Sequence, residues 1–296
     1  MRVLVLGGLG MLGHKLCQHL SQQMDTWATV RRDGGVLRGT GFVRDDHVLD
    51  AVDARKLETV QAAMDTAEPD VVINCVGIVK QVPEAQDPAL LNEINSLLPH
   101  RLAGFCSDRG VYLVHISTDC VFSGQRGMYT EDDPPDAQEL YGRSKALGEF
   151  VRPNCLTLRT SIIGRELRGQ HGLLEWFIAQ QGQSVRGYTR AIFSGLTTQV
   201  LSEMIAKLIA RKQRLEGLFH VASSPISKHD LLTLVRDTYS LSVEIEPFPD
   251  IVVDRSLDGT RFYTETGLGS ESWASMVARL ANDPFDYDDW RQAHHA

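Results

Sequence analysis

The chain has 296 residues, of which 43% are hydrophobic and 23% are charged, a composition that excludes disordered and fibrous proteins. Thirty Lys and Arg residues against 38 Asp and Glu residues give a formal net charge of -8, which argues against nucleic acid as a partner. The longest apolar stretch, residues 3–13, is too short to span a bilayer and contains four glycines, so no membrane association is predicted.

Short apolar runs alternate with longer helical patterns through the first half of the chain. Strands are predicted at residues 3–6, 27–30, 71–76, 111–117 and 156–163. These runs are apolar on both faces, which is typical of parallel strands covered by helices. Residues 57–67 and 89–109 are the predicted crossover helices, the second with a kink at Pro99. The pattern therefore predicts an α/β fold with a doubly wound, Rossmann-like parallel sheet.

The second half of the chain has a looser pattern. Residues 1–163 are predicted to form the Rossmann-like domain, completed by segments near 196–222, and residues 164–296 a smaller α/β substrate-binding region. Thr198 is a predicted N-cap of one helix there. Ser227 is the predicted N-cap of another, with Asp230 completing a capping box. The five cysteines are scattered, without metal-ligand spacing, so we expect reduced thiols, a cytoplasmic location and no metal site.

A glycine-rich turn follows the first predicted strand. Residues 7–13 read GGLGMLG, with glycines at positions 7, 10 and 13, and a helical pattern follows. Such a turn lets the backbone approach a pyrophosphate at a helix N-terminus. A plain tight turn is the alternative. The predicted cofactor contacts in this turn are Gly7, Gly10, Met11, Leu12 and Gly13.

The end of the second predicted strand indicates which nicotinamide cofactor is used. Arg31 and Arg32 stand where an NAD-specific protein usually carries an acidic residue, and two guanidiniums suit a 2′-phosphate. NADP(H) is therefore favoured, Asp33 leaves NAD(H) open, and two solvated arginines are the alternative interpretation. Asp50 and Asp53 resemble an acidic pair beside adenine, although either could cap a helix. The cofactor contacts predicted here are Arg31, Arg32, Asp50 and Ala51.

A tyrosine and a lysine four residues apart provide the strongest chemical signal. Tyr141 and Lys145 share one face if the segment is helical, and a cation beside a phenol favours the phenolate. A surface pair is the alternative interpretation. The signal becomes specific because Ser117, Thr118 and Asp119 end a buried strand, where sheets of this class hold their ligands.

In this order, the glycine turn, the strand-end Ser-Thr and the Tyr-x-x-x-Lys make the chain resemble an extended short-chain dehydrogenase/reductase. The runs ISTDCVFSG at 116–124 and YGRSKALGE at 141–149 are similar to the dTDP-4-dehydrorhamnose reductase family. The similarity continues at residues 69–74, 158–161 and 255–258, and it is weak at 165–191 and beyond 270.

The resemblance implies a role for each matching residue. Tyr141 would be the proton donor, Lys145 would bind the nicotinamide ribose, and Thr118, or alternatively Ser117, would bind the substrate carbonyl. The implied reaction is reduction by NADPH of a 4-keto-6-deoxy sugar linked to a nucleoside diphosphate, in the synthesis of cell-surface polysaccharide precursors. A homodimer is common in the family.

Several positions bear on the substrate. Cys120 stands where related dehydratases carry a glutamate, so elimination is not expected, and a buried, inert thiol is favoured over a nucleophile or epimerising base. Arg190 and Arg255 are candidates for the substrate diphosphate, with structural salt bridges or solvated loop arginines as the alternatives. Trp176, among apolar neighbours, is predicted to lie in the core. The nucleotide stays open between a dTDP-sugar and a UDP-linked amino sugar.

Two other functions are considered. A nucleotide-sugar 4-epimerase would use the same tyrosine and lysine but retain its cofactor, and Arg31 and Arg32 count against it. A non-catalytic NADP-binding regulatory subunit is the alternative from another class, and the presence of Thr118, Tyr141 and Lys145 counts against that one.

Overall fold

The computed structural model describes residues 1–294, and strands and helices alternate through the first half of this range. The strands are β1 (Arg2–Leu6), β2 (Asp25–Thr29), β3 (Val48–Leu49), β4 (Val71–Asn74), β5 (Tyr112–Thr118), β6 (Cys155–Thr160), β7 (Ile162–Ile163), β8 (Ser184–Tyr188), β9 (Ala191–Phe193), β10 (Leu196–Thr197), β11 (Gly217–His220), β12 (Ile226–Ser227), β13 (Glu244–Phe248) and β14 (Val253–Asp254). The helices are α1 (Met11–Leu20), α2 (Gly34–Gly39), α3 (Leu57–Ala67), α4 (Pro88–Leu91), α5 (Leu98–Asp108), α6 (Leu140–Leu147), α7 (Leu173–Ile178), α8 (Thr198–Ile209), α9 (Lys228–Tyr239), α10 (Thr260–Thr266), α11 (Trp273–Ala281) and α12 (Tyr287–His294).

A seven-stranded parallel sheet forms the centre of the fold, in the order β11-β6-β5-β4-β1-β2-β3. Alternate side chains of β1 enter two different apolar clusters: Val3 and Val5 pack with α1 and α8, and Leu4 and Leu6 pack with α3 and α5. The two-sided burial that predicts a doubly wound sheet is thus confirmed. Because all seven strands run in parallel, their carboxyl ends meet at one edge.

The second crossover helix carries an irregular turn. Residues 88–108 are continuously helical, but residues 92–97 widen into a π-helical turn just before Pro99. The irregularity predicted at Pro99 is therefore a π-helical turn that ends two residues before the proline. A proline lacks the N–H for the preceding turn and its ring crowds the carbonyl there, so the chain opens at that point.

The residues after β6 build small sheets and also return to the large one. β8 pairs with β13, β9 with β12 and β14, and β7 with β10, while β11 extends the large sheet beside β6. The Ser227 hydroxyl accepts a hydrogen bond from the Asp230 N–H at 3.0 Å, as predicted for the cap. In the described part of the chain, the Asp230 carboxylate bonds His229 rather than the Ser227 N–H, so the reciprocal half of the capping box does not form. Among residues 1–294, no helix combines the length and the apolar character that crossing a membrane requires.

The predicted cap at Thr198 is wrong. The N-cap of α8 is Thr197, and its side chain makes no capping bond. Thr197 ends β10, whose pairing with β7 fixes the backbone there. The hydroxyls of Thr197 and Thr198 are both buried without a hydrogen-bond partner among the described residues.

Candidate active site

The glycine turn connects β1 to α1 through very close backbone contacts. Gly7 has φ +85°, in the left-handed region, and the Gly10 N–H donates to its carbonyl at 3.0 Å. A Cβ on Gly13 would lie 2.1 Å from the Gly7 carbonyl oxygen. The first intrahelical bond of α1 runs from His14 N–H to Gly10 at 3.0 Å, so the N–H groups of residues 11–13 precede it. A turn closed this tightly, with free N–H groups at a helix start, fits a dinucleotide pyrophosphate.

The two arginines after β2 lie at the same edge of the sheet. Arg31 and Arg32 are exposed, and neither has an ion-pair partner within the part of the chain that the structure describes. Asp33, by contrast, pairs with Arg168 at 2.8 Å. Two unpaired guanidiniums beside a partly neutralised carboxylate favour a 2′-phosphate over a 2′-hydroxyl.

The acidic residues after β3 have arginine partners. Asp50 pairs with Arg38 at 2.7 Å and packs over the start of α2, because a Cβ on Gly34 would lie 2.0 Å from its Oδ1. Ala51 follows with φ +59°. Asp53 pairs with Arg55, which lowers the pKa of its carboxyl to about 2. The structure places Asp50 and Ala51 directly after the carboxyl end of β3, and their contact with adenine stays a prediction.

Thr118 and Tyr141 come together at the carboxyl end of β5. The Thr118 hydroxyl accepts from the Cys120 N–H and donates to Asp119 Oδ1, both at 3.1 Å. Tyr141 lies in the first turn of α6, which packs tightly on residues 119–121 because a Cβ on Gly142 would lie 2.1 Å from the Cys120 carbonyl oxygen. Burial raises the pKa of the Tyr141 phenol above its ordinary value, and the Thr118 hydroxyl acts in the opposite direction.

Lys145 lies one helical turn after Tyr141 and is buried. Its Nζ donates to the Ile116 carbonyl at 2.7 Å and would be 3.9 Å from a Cβ on Gly77. Burial lowers the pKa of Lys145 to about 8, against the opposing effects of Glu149 and Cys75. The expected lowering of the phenol pKa by Lys145 is not found, because burial dominates at Tyr141 and the ammonium is bound to β5.

Ser117 belongs to a buried ionic network on the other face of β5. Its Oγ donates to Glu149 at 2.5 Å, and Arg159 binds the same carboxylate at 2.8 and 2.9 Å. Arg159 also contacts the His220 ring nitrogen at 3.1 Å, and burial lowers the pKa of His220 to about 4, so that this imidazole is neutral. The Ser117 hydroxyl therefore belongs to this network, whereas Thr118 is the hydroxyl beside Tyr141.

Asn95 is a site residue that sequence reasoning missed. It stands in the π-helical turn, where its Oδ1 accepts from the Ile78 N–H at 2.9 Å. Its Nδ2 donates to the Ile78 carbonyl at 3.0 Å and to Ser144 Oγ at 3.1 Å. One amide thus ties the loop after β4 to the helix of Tyr141. The available clue was an asparagine one turn before Pro99, where the helix is disturbed.

The two candidate substrate arginines have different positions. Arg255 Nε donates to the Phe122 carbonyl at 2.8 Å and its Nη2 to Glu139 at 3.2 Å, which places it at the site. Arg190 is exposed, and within residues 1–294 its guanidinium makes no hydrogen bond or ion pair, while its backbone carbonyl accepts from the N–H of residue 253 at 3.1 Å. Burial raises the pKa of the Cys120 thiol to about 12, so the interpretation as an inert thiol is supported.

The core assignment of Trp176 is wrong. Its exposed fraction is 38%, whereas Leu174 and Phe177 are buried. α7 is a short surface helix, and those two side chains occupy its inward face.

Comparisons with known proteins extend this description. Residues 1–261 match the family model described as "RmlD substrate binding domain". A spore coat polysaccharide biosynthesis protein of Bacillus subtilis (strain 168), SpsK, is 30% identical over 256 residues, which cover 82% of this chain and 81% of that protein. A probable low-salt glycan biosynthesis reductase of Haloferax volcanii, Agl14, is 32% identical over 171 residues. That alignment covers 55% of this chain and about half, 54%, of the relative's length.

Two further comparisons cover nearly the whole chain. The methionine adenosyltransferase 2 subunit beta of Rattus norvegicus is 29% identical over 312 residues, which cover 98% of this chain and 90% of that protein. A solved dTDP-4-dehydrorhamnose reductase of Bacillus anthracis in complex with NADP superposes with a TM-score of 0.78 at 22% identity, covering 96% of this chain and 99% of that one. The structural match supports the Rossmann-like fold.

Proposed function

Because this chain belongs to the RmlD substrate binding domain family, we propose that it reduces the 4-keto group of a 6-deoxy sugar linked to a nucleoside diphosphate, with NADPH as the preferred hydride donor. One observation carries the proposal: Thr118 and Tyr141 lie together at the strand edge that also bears the glycine turn, with Lys145 one helical turn away. This is the arrangement that positions a hydroxyl, an acid and a cation around one carbonyl.

Different residues would bind different parts of NADPH. The N–H groups of residues 11–13 would hold the pyrophosphate, Arg31 and Arg32 the 2′-phosphate, and Lys145 the nicotinamide ribose. When bound, NADPH supplies the hydride. The exposed Arg31 and Arg32 support NADPH over NADH. Asp33 pairs with Arg168, which leaves the Arg31 and Arg32 guanidiniums available for a 2′-phosphate.

The chemistry of the protein's own residues is proton transfer and orientation. With substrate bound, the Thr118 hydroxyl turns its proton from Asp119 Oδ1 to the keto oxygen and orients it. The Tyr141 phenol gives its proton to that oxygen as hydride reaches the carbon. A raised phenol pKa keeps Tyr141 protonated at neutral pH, which suits a proton donor in the direction of reduction. The Tyr141 phenolate then recovers a proton from solvent.

The relatives' names support a role for the product in a cell-surface or secreted glycan, since one acts in spore coat polysaccharide biosynthesis and another in glycan biosynthesis. Both a dTDP-linked sugar and a UDP-linked amino sugar are substrates to test.

The test is NADPH oxidation with dTDP- and UDP-linked 4-keto-6-deoxy sugars, generated in situ by their dehydratases. Wild type is compared with Tyr141→Phe and with Tyr188→Phe, whose tyrosine is 39% exposed and serves as the control. We expect turnover on one nucleotide, a loss of at least 100-fold in Tyr141→Phe and an unchanged rate in the control. Equal turnover in wild type and Tyr141→Phe would refute the assignment.

A second candidate function has its own support. The match to the methionine adenosyltransferase beta subunit covers 98% of this chain, so a non-catalytic subunit that binds NADP is considered. Saturable NADPH binding without oxidation on either sugar series would favour this alternative over the reductase.

A further inference from the structure

Two cations contact the Cys120 thiol, and a third lies close enough to sense its charge. Lys80, in the loop after β4, has its Nζ 3.9 Å from the Cys120 sulfur, and Arg255 has its Nη1 3.9 Å from the same atom. Lys228, the first residue of α9, approaches the same place: Asp119, Lys80 and Cys120 all shift the pKa of its ammonium group. These residues are far apart in the sequence, and the fold collects them around one small neutral side chain.

The positive charge at this place is only partly compensated. Within residues 1–294, neither Lys80 nor Lys228 forms an ion pair with a carboxylate, although the Lys228 Nζ lies 4.0 Å above the Phe193 ring. Burial and the nearby charge of Lys80 lower the pKa of Lys228 to about 8. The shift is in the direction expected for an ammonium group that has lost much of its hydration. Three cations against the carboxylates of Asp119 and Glu139 leave one net positive charge.

The backbone reinforces this charge. Lys228 stands at the first position of a twelve-residue helix, where the helix dipole is already positive. A lysine is unfavourable there because both contributions have the same sign, and the carboxylate of the same turn, Asp230, is engaged by His229. The Lys228 ammonium group lies over the Phe193 ring rather than being free in solvent.

The cluster lies directly beside the reacting groups. The Cys120 N–H donates to the Thr118 hydroxyl at 3.1 Å, and Cys120 also influences the pKa of Tyr141. An anion held by Lys80, Lys228 and Arg255 would therefore belong to the molecule whose carbonyl meets Thr118 and Tyr141. It would be separate from the anion sites at the glycine turn and at Arg31.

We propose that Lys80, Lys228 and Arg255 form an oxyanion subsite for the substrate, which holds either its diphosphate or a carboxylate on its sugar. This inference rests on the proposed function only in taking the ligand to be a nucleotide sugar. Arg255 is fixed by the Phe122 carbonyl and Glu139, and it supplies a rigid donor. The two lysines supply flexible charges on either side.

The experiment is isothermal titration of the NADP-saturated protein with UDP, inorganic pyrophosphate, UDP-glucose and UDP-glucuronate. The variants are Lys80→Met and Lys228→Met, and Lys212→Met, at an exposed lysine, is the matched control. We expect each of the first two to weaken oxyanion binding about tenfold and to reduce its salt dependence, with the control unchanged. Thermal unfolding of each variant checks that it is folded.

The ligands distinguish the two sources of the oxyanion. Equal losses for UDP, pyrophosphate and both nucleotide sugars assign the subsite to the diphosphate. A loss confined to UDP-glucuronate assigns it to a sugar carboxylate. Affinities within twofold of wild type for all four ligands in both lysine variants would overturn the subsite. Because binding is measured without turnover, a protein that reduces no sugar but shows the lysine dependence refutes the reductase alone.

Discussion

At the residue scale, burial shifts Tyr141 and Lys145 toward their neutral forms. It raises the pKa of the phenol and lowers the pKa of the ammonium group to about 8, because transfer out of water disfavours either charge. The acid that the reaction needs is thereby kept protonated, and the cation stays charged only below about pH 8. The two groups thus set different limits on the working pH range.

A pH dependence of NADPH binding follows from Lys145. As the pH rises through about 8, the ammonium loses its proton, so affinity for NADPH is expected to fall. Fluorescence titration of NADPH between pH 6 and 10 measures this. Lys145→Arg, whose charge does not titrate in this range, is expected to remove the fall. The fall must persist in Lys228→Met, since Lys228 has a similar pKa; its disappearance there would assign the effect to Lys228 instead.

Cofactor preference is expected to depend on the exposed arginines after β2. Replacing Arg31 and Arg32 by Ser removes two charge-assisted hydrogen bonds to a 2′-phosphate, so the ratio of NADPH to NADH affinity is expected to fall at least tenfold. Arg152→Ser, at an exposed arginine near the opposite edge of the sheet, is the control. An unchanged ratio in the double variant would mean that these arginines are merely solvated.

At the element scale, the contact between the glycine turn and α1 decides where the helix N-terminus lies. Gly7 and Gly13 bring the helix against the end of β1, and no side chain fits between them. The helix dipole and its first N–H groups are then aimed at the strand edge where Thr118 and Tyr141 also lie. Sequence spacing predicted this turn well, because the requirement for glycine is local.

Gly13→Ala tests that contact. The new Cβ would meet the Gly7 carbonyl oxygen at 2.1 Å, so the backbone must move. We expect a loss of about 1–3 kcal/mol in the free energy of unfolding and at least a tenfold loss of NADPH affinity. Gly104→Ala, in α5, meets no atom within 4 Å and is expected to be neutral or slightly stabilising. Urea unfolding and NADPH titration measure both, and normal NADPH binding in Gly13→Ala would contradict the proposed role of the turn.

At the scale of the whole molecule, the C-terminal helix α12 packs against the two N-terminal helices α1 and α2. His14 Nε2 contacts the Tyr287 hydroxyl at 2.9 Å, and the Trp290 indole donates to the Gly39 carbonyl at 3.2 Å. Lys15 and Asp283 form an ion pair beneath this contact, with both side chains at most 5% exposed. The end of the described chain is thus part of the structure that holds α1 in place.

Asp283→Asn tests this closure. It leaves the buried Lys15 ammonium without its carboxylate, so we expect a loss of about 3 kcal/mol in the free energy of unfolding. Asp250→Asn, at an exposed aspartate, is expected to change stability by less than about 0.5 kcal/mol. Replacing both Lys15 and Asp283 by apolar residues is expected to recover much of the loss, and chemical denaturation measures all three. Equal stability of Asp283→Asn and wild type would show that this pair does not stabilise the closure.

Features that depend on pattern along the chain follow from the order of the amino acids. Two-sided apolar strands predicted the doubly wound sheet, and the runs at 116–124 and 141–149 predicted the family, which the match over residues 1–261 confirms. Spacing placed Tyr141 and Lys145 on one helix because the helical repeat is a local property. Each of these patterns is readable from the order of residues along the chain, without knowledge of contacts between distant segments.

Contacts between side chains that are far apart in the sequence follow from tertiary packing. Tertiary packing brings Thr118 beside Tyr141 and directs the Ser117 hydroxyl to Glu149. It also lets the Asn95 amide bind the loop after β4, and it leaves Trp176 exposed. It also gathered Lys80, Lys228 and Arg255 around Cys120. The physical reason is that pairing and packing between distant segments fix the direction of each side chain and its access to water. Those two quantities set the hydrogen-bond partners, the pKa and the net charge of a site, and no local pattern encodes them.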